Sequence, residues 1–127
     1  MASQNNSGRQ FLKLNAVTII ATAVLAANRF AAYDGTHATN AGGVKDAQGI
    51  TEHGAAIGEA VSAITGYSGL VEASATIAFG DYIKPAADGS GKAAVGTAAE
   101  HCGRALGAAT AGQLVEVERL QHLHAAA

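Results

Sequence analysis

Four short groups of residues have side-chain types that could carry chemistry, and the first is Gly89–Lys92 (GSGK). This group resembles the end of a phosphate-binding loop. That loop needs another glycine five residues before its second glycine, and a serine or threonine after the lysine to bind magnesium. The chain has Ala86 and Ala93 at these positions. The spacing therefore predicts a solvated hairpin turn and not a nucleotide site.

The second group is Gly66–Gly69 (GYSG), which is close to the nucleophile elbow of α/β-hydrolases. In that elbow the second glycine follows the serine by two residues, and here it follows by one. The strained turn that exposes the nucleophile would not form in this register. We therefore expect Ser68 to lie in an ordinary turn.

The third and fourth groups contain possible metal ligands. His122 and His124 would share one face of a strand, and His101 and Cys102 are possible further donors. However, the neighbours His101 and Cys102 would point to opposite faces of a strand, and His122 and His124 fall in a predicted tail. We therefore expect no metal site, and we interpret the single cysteine as a small buried apolar residue.

No combination of these groups predicts catalysis. A hydrolase that used His101 and Cys102 would need a base, a nucleophile and an orienting residue, and no such set can be aligned. The ten carboxylates include no close pair whose environments would separate their pKa values. We therefore expect no catalytic residues, no cofactor and no small-molecule substrate.

The composition of the chain indicates what kind of domain positions these residues. A chain of 127 residues has room for one domain, and 49% of its residues are hydrophobic, although it has three Phe, three Tyr and no Trp. A core of small side chains gives a monomer modest stability, so assembly with a partner is expected. A net charge of −2 with scattered cations argues against nucleic-acid binding.

Sixteen glycines and one proline, with turn residues every few positions, predict seven to nine short strands in an all-β barrel or sandwich. The clearest turn is Asp88–Gly91, which predicts a hairpin between 82–84 and 92–96. The segments 16–22 and 29–34 are expected to pair as another hairpin. We assign residues 1–13 to a flexible N-terminal arm, 14–120 to the β-barrel domain and 121–127 to a short C-terminal tail.

The N-terminal region allows two interpretations. The apolar run 14–27 follows two cations and imitates a secretory signal, but its β-branched residues suit a strand and it is too short to span a bilayer. We therefore expect a strand and no membrane association. Before it, Arg9, Phe11 and Lys13 place an aromatic residue between two cations, and such residues dominate interface energies. We predict that these three contact a partner.

The order of several motifs resembles that of a known family. These motifs are Ala26–Gly35, Gly58–Ser62 and Gly80–Pro85, followed by Asp88–Gly89, Gly96 and Gly103–Leu106. Over about residues 15–120 the chain is similar to the cement, or decoration, proteins of bacteriophage capsids. The motifs are turn and strand signatures, so the resemblance depends on their shared order and spacing.

The resemblance implies a compact β-barrel or β-tulip domain, made in the host cytoplasm, that binds the outer surface of the phage head. It implies a homotrimer that bridges neighbouring subunits of the major capsid protein and stabilises the shell without catalysis. Two alternatives stay open, because a fold does not specify a function. One is a tail or head-completion protein, and the other is a secreted or surface-displayed adhesion module.

Overall fold

The computed structural model describes residues 13–124, and this part of the chain is built from strands, with one 3₁₀ turn and no α-helix. The strands are β1 (Lys13–Ile20), β2 (Phe30–Ala32), β3 (Ala47–Thr51), β4 (Ala60–Glu72), β5 (Tyr82–Pro85), β6 (Ala93–Val95), β7 (His101–Ala105) and β8 (Leu114–Leu123). The 3₁₀ turn spans Gly43–Lys45. Within residues 13–124, no helix is long and apolar enough to cross a membrane. The predicted all-β class is confirmed.

All eight strands belong to one sheet with the order β2-β3-β4-β8-β7-β5-β6, and β1 also pairs with β4. β4 is the longest strand, with 13 residues, and it serves two regions of the sheet. Its first part pairs with β1 and β3, whereas its second part, from Ser68 to Glu72, pairs with β8. Every strand pair is antiparallel.

The sheet closes on itself beyond β4. Ala73 forms a parallel bridge with Ala93 of β6, and the Ser74 amide donates to the Ala93 carbonyl oxygen at 2.8 Å. As a result, β4, β8, β7, β5 and β6 enclose a nearly closed barrel. Closure satisfies backbone groups that an open sheet edge would leave unpaired. The predicted small β-barrel is confirmed.

The main core lies in this barrel and continues to β2 and β3, and it is built largely from small and β-branched side chains. Its largest fully buried residues include Phe30, Ile50, Ile77 and Ile83, and alanines occupy many of the remaining positions. A separate and smaller cluster lies between β1 and the loops beside it, formed by Ala21, Leu25, Ala55 and Val61 with Ile19 packed against them. β1 is therefore anchored by a minor cluster and not by the main core.

One largely buried side chain joins three strands. The Arg119 guanidinium on β8 donates to the carbonyl oxygens of Cys102 at 2.9 Å and Leu120 at 3.1 Å, and to those of Ala47 at 3.3 Å and Gln48 at 3.2 Å. β3 and β8 do not pair in the sheet, so this side chain connects them. Burial lowers the pKa of Arg119 from its ordinary value, while the four carbonyl oxygens stabilise its charge.

Three sequence predictions about pairing and boundaries are wrong. The segments 16–22 and 29–34 do not form a hairpin, because β1 pairs with β4 and β2 pairs with β3. Lys13 does not belong to the arm, since it is the first residue of β1. The last strand does not end at Leu120 but continues to Leu123, so the start of the predicted tail, 121–123, belongs to β8. The rest of the predicted arm lies outside the described residues.

Candidate functional site

Gly89–Lys92 lies in the loop of the β5–β6 hairpin, as predicted, with Ile83 opposite Val95 and Pro85 opposite Ala93. Gly89 and Gly91 adopt positive φ angles of 80° and 73°, which suit glycine in a tight turn. The Lys92 ammonium pairs with Glu72 at 3.3 Å. The lysine is therefore used in an ion pair within the protein.

Ser68 lies in the middle of β4, so the predicted turn is wrong. It is fully buried, and its hydroxyl donates to a carboxylate oxygen of Glu116 on β8 at 2.9 Å. The glycine beside it serves packing and not a turn, because a Cβ on Gly69 would lie 3.0 Å from the Cδ1 atom of Ile50. Burial makes Ser68 unsuitable as an exposed nucleophile.

Cys102 and His101 lie side by side on β7 and have separate surroundings. Burial raises the pKa of the Cys102 thiol to about 12, so the thiol stays protonated and weakly nucleophilic at neutral pH. The His101 ring packs against Tyr82, with centroids 4.6 Å apart, and its Nδ1 lies 3.1 Å from the Thr97 carbonyl oxygen. Both residues act in packing.

His122 lies on β8 and His124 directly follows its last residue; their side chains share one face, as predicted, and their rings stack with centroids 4.5 Å apart. They do not lie in a free tail, because the His122 side chain is only 3% exposed. Asp46, at the entry to β3, contacts the Nε2 atom of His124. Nothing in the sequence pattern links Asp46 to residues more than seventy positions away, so this cluster was not predicted.

A small cavity lies beside β4, lined by Asn28, Thr51, Glu52, Ile64 and Leu70. Its volume is about 80 Å³, well below the roughly 300 Å³ at which ligand pockets begin. It could hold water but not an organic substrate.

The most unusual surface of the described chain is β1. Seven of its eight residues are exposed, and Ile19 is half-buried. On one edge β1 pairs with β4, from Lys13 opposite Tyr67 to Ile20 opposite Ala60. On its other edge it pairs with no strand among residues 13–124. Free amide and carbonyl groups on such an edge can pair with an added strand.

The three edges of the sheet differ in length. β2 and β6, at the two ends of the strand order, have only three residues each, and β6 is also bridged to Ala73 where the barrel closes, whereas β1 has eight residues. Very short edge strands and charged or proline residues are common devices that prevent edge-to-edge association. In β1 the single charged residue is Lys13, at its start, and there is no proline. The register of β1 against β4 shifts between Lys13 and Ala16, and the rest of the strand, from Ala16 to Ile20, has neither a charge, a proline nor such an irregularity.

Large apolar side chains line this edge and the loops that continue from it. Leu14 is 62% exposed, Ile20 is 56% exposed and Val24 is 71% exposed. Ile57 joins them, because the amide of the next residue, Gly58, donates to the Ala21 carbonyl oxygen at 2.8 Å, beside the end of β1. We call Leu14, Val17, Ile20, Val24 and Ile57 the β1 surface, which includes both faces of the edge because Val17 and Ile20 are three positions apart in one strand. Exposed apolar residues grouped in this way are typical of interaction sites.

Polar contacts hold the start of β1 in place. The Lys13 ammonium pairs with Glu52 at 3.0 Å, and the Ser62 hydroxyl of β4 also donates to that carboxylate. The hydrogen bond from Ser62, followed by that from Lys13, lowers the pKa of Glu52 below its ordinary value. Lys13 was predicted to contact a partner and lies at the β1 surface, whereas Arg9 and Phe11 lie outside the described residues.

Comparison with known proteins gives a match at the level of fold. No family model matches the chain, and no curated protein matches its sequence. Among solved structures, the chain is similar to the head fiber gp8.5 N base of bacteriophage phi29, with a TM-score of 0.68. The two chains are 22% identical, and the match covers 86% of this chain and 96% of that chain.

This similarity confirms the small β-barrel and extends over almost the whole of the other domain. The resemblance to capsid cement proteins, which came from the order of sequence motifs, stays a prediction.

Proposed function

We propose that this protein is a structural component of a phage head that binds the outside of the capsid through the β1 surface. The observation that carries the proposal is an exposed edge strand of eight residues, mostly apolar, on a barrel that shares its fold with a phage head fiber base. An edge strand of this kind binds an extended segment by adding it to the sheet, and its apolar side chains fill pockets on the partner. The partner is the major capsid protein.

Arg9 and Phe11 lie four and two residues before the first residue of β1 in the sequence. We propose that they extend the contact that begins at Lys13, with Phe11 as the apolar anchor. The homotrimer expected from the family resemblance belongs to the same proposal, since a symmetric trimer would present three β1 surfaces to one site on the shell.

The role is mechanical and not catalytic. Its support is that the two candidate nucleophiles, Ser68 and Cys102, are fully buried, and that the cavity beside β4 is too small for a substrate. The scattered charges that argue against nucleic-acid binding also suit contact with protein. The similarity to a head fiber base favours the head over the tail and adhesion alternatives.

A second candidate function has its own support. The structural match is to the base of a head fiber, so the barrel could serve as an attachment point for a projecting protein and not as a cement. A cement bridges neighbouring subunits and raises the stability of the shell, whereas an attachment base occupies the surface and leaves that stability unchanged. Capsid stability therefore distinguishes the two.

The test is cosedimentation of the full chain with mature, expanded capsids and with unexpanded proheads of the parent phage. We expect saturable binding to expanded capsids, with density at regular outer positions in electron microscopy. Saturated capsids should also release DNA at a higher temperature than undecorated ones, because ligands stabilise the state they bind. Binding without this increase would favour the fiber base, and no binding to either particle would contradict a head-surface role.

A further inference from the structure

The cluster of Asp46, His122 and His124 has the donor atoms of a metal site. His122 lies near the end of β8 and His124 follows directly after its last residue, and Asp46 reaches them from the segment between the 3₁₀ turn and β3. One donor atom from each residue lies within 4.8 Å of the others. The Oδ1 atom of Asp46 contacts Nε2 of His124 and lies 3.9 Å from Nδ1 of His122.

The protonation state of His122 suits a ligand. Its Nδ1 accepts the Ala47 amide hydrogen at 2.7 Å, so the neutral ring has its lone pair on Nδ1 and its proton on Nε2. Burial lowers the pKa of His122, which favours this neutral form at neutral pH. Nε2 is buried and has no hydrogen-bond partner within residues 13–124. Nδ1, which lies 3.9 Å from the Oδ1 atom of Asp46, is therefore the atom that could act as the ligand.

The charge around the cluster and its exposure to solvent also favour the binding of a cation. The side chains of Asp46 and His124 are partly exposed, and a Cβ on Gly42 would still lie 3.9 Å from the His124 Nε2 atom, so the approach is open. Glu100 acts electrostatically on both imidazoles and adds negative potential, although it is paired with Lys84 at 2.9 Å. Arg119 acts on His122 in the opposite direction.

We propose that Asp46, His122 and His124 bind a divalent transition-metal ion of the zinc class. Two imidazoles and one carboxylate are a preferred zinc donor set, and with three protein ligands the fourth position is open to water. The bound ion would join the end of β8 to the entry of β3 and so stabilise the fold. Binding requires the His122 ring to rotate, so that its Nδ1 lone pair points to the ion and no longer accepts the Ala47 amide hydrogen. The proposal does not depend on the capsid-binding role, and it replaces the sequence-based expectation of no metal.

The test uses the chelator-treated full chain, titrated with Zn²⁺ by calorimetry and with Co²⁺ by visible absorption. We expect one equivalent of Zn²⁺ to bind, a Co²⁺ spectrum of low coordination number, and a higher Tm with Zn²⁺. The Ala47 amide resonance should shift on binding, because its acceptor is lost. Affinity should fall as the pH is lowered and protons compete for the imidazoles.

Two variants and one control make the test specific to this cluster. His124→Ala and Asp46→Asn each remove a ligand, and each should weaken Zn²⁺ binding by at least the roughly 10- to 100-fold that loss of an outer-shell partner costs. His53→Ala removes an exposed histidine elsewhere and should leave affinity unchanged. If His124→Ala fails to fold, Asp46→Asn still tests the site, because asparagine has nearly the same size and shape as aspartate. Absence of stoichiometric binding to the wild-type chain, or equal affinity in Asp46→Asn, would overturn the proposal.

Discussion

The two parts of β4 have different surroundings. The second part, from Ser68 to Glu72, pairs with β8 in the nearly closed barrel, where Ser68 and Val71 are fully buried. The first part supports β1, whose residues are almost all exposed and whose anchor is a four-residue cluster with one half-buried isoleucine. Since stability is unevenly distributed in proteins, elements with few buried contacts are available for binding. We infer that the closed barrel provides the stability and that β1 provides the contact.

The largest expected effect comes from comparing the same substitution in the barrel and on β1. Ile83→Ala empties a fully buried position in the barrel and should lower the free energy of unfolding by about 2–5 kcal/mol. Ile20→Ala on the β1 surface should lower it by roughly 0.5 kcal/mol, as is usual for exposed positions. Urea denaturation of both variants measures the difference. Equal losses would contradict the division between a stable barrel and an available edge.

A second prediction concerns the connection between β3 and β8. Arg119→Met keeps most of the side-chain volume but removes the donors to four carbonyl oxygens. Buried carbonyls without a partner are costly, so we expect a loss of roughly 2–3 kcal/mol. Hydrogen exchange should quicken at Ala47 and Gln48 more than at β1. Unchanged stability would mean that the guanidinium does not hold β3 to β8.

A third and smaller effect concerns the start of β1 and depends on pH. Because Ser62 and Lys13 lower the pKa of Glu52 below its ordinary 4.5, the charged carboxylate stabilises the folded state. This contribution is fully present above the ordinary pKa and is lost as the pH falls through the lower folded value. Glu52→Gln should therefore reduce stability at pH 7 by no more than about 1 kcal/mol.

Urea denaturation across the acid range provides the check for Glu52. The gap between wild type and Glu52→Gln should close below pH 4.5. A gap that widens on acidification would reverse the assigned direction of the pKa shift.

Turn residues in the sequence predicted those elements of the fold that are formed by residues close together in the chain. The β5–β6 hairpin follows from Asp88–Gly91, where two glycines adopt positive φ angles. The glycines of Gly66–Gly69 give the same local signal without forming a turn. Gly69 is small because two isoleucine side chains pack over it, and that requirement is set by the tertiary structure.

Long-range pairing could not be predicted. The preference of β1 for β4 depends on a partner strand about fifty residues away, and the nearest candidate, β2, pairs with β3. The Asp46, His122 and His124 cluster likewise joins residues more than seventy positions apart. The sequence predicted the shared face of the two histidines, since strand alternation is local.

Positive charge added to the β1 edge tests most directly the central claim, which is that β1 contacts the capsid. The double variant Val17→Lys/Ile20→Lys places two cations on the unpaired edge, a device that prevents strand addition. Val95→Lys is the matched control, because Val95 lies on the short edge strand β6 and is 46% exposed, compared with 38% for Val17. All three chains should have similar Tm values.

Cosedimentation with expanded capsids gives the decisive comparison. We expect the double variant to bind at least about tenfold more weakly than wild type, which corresponds to about 1.4 kcal/mol, while Val95→Lys binds as wild type does. If the folded double variant binds with wild-type affinity, or if Val95→Lys loses binding instead, β1 is not the surface that contacts the capsid.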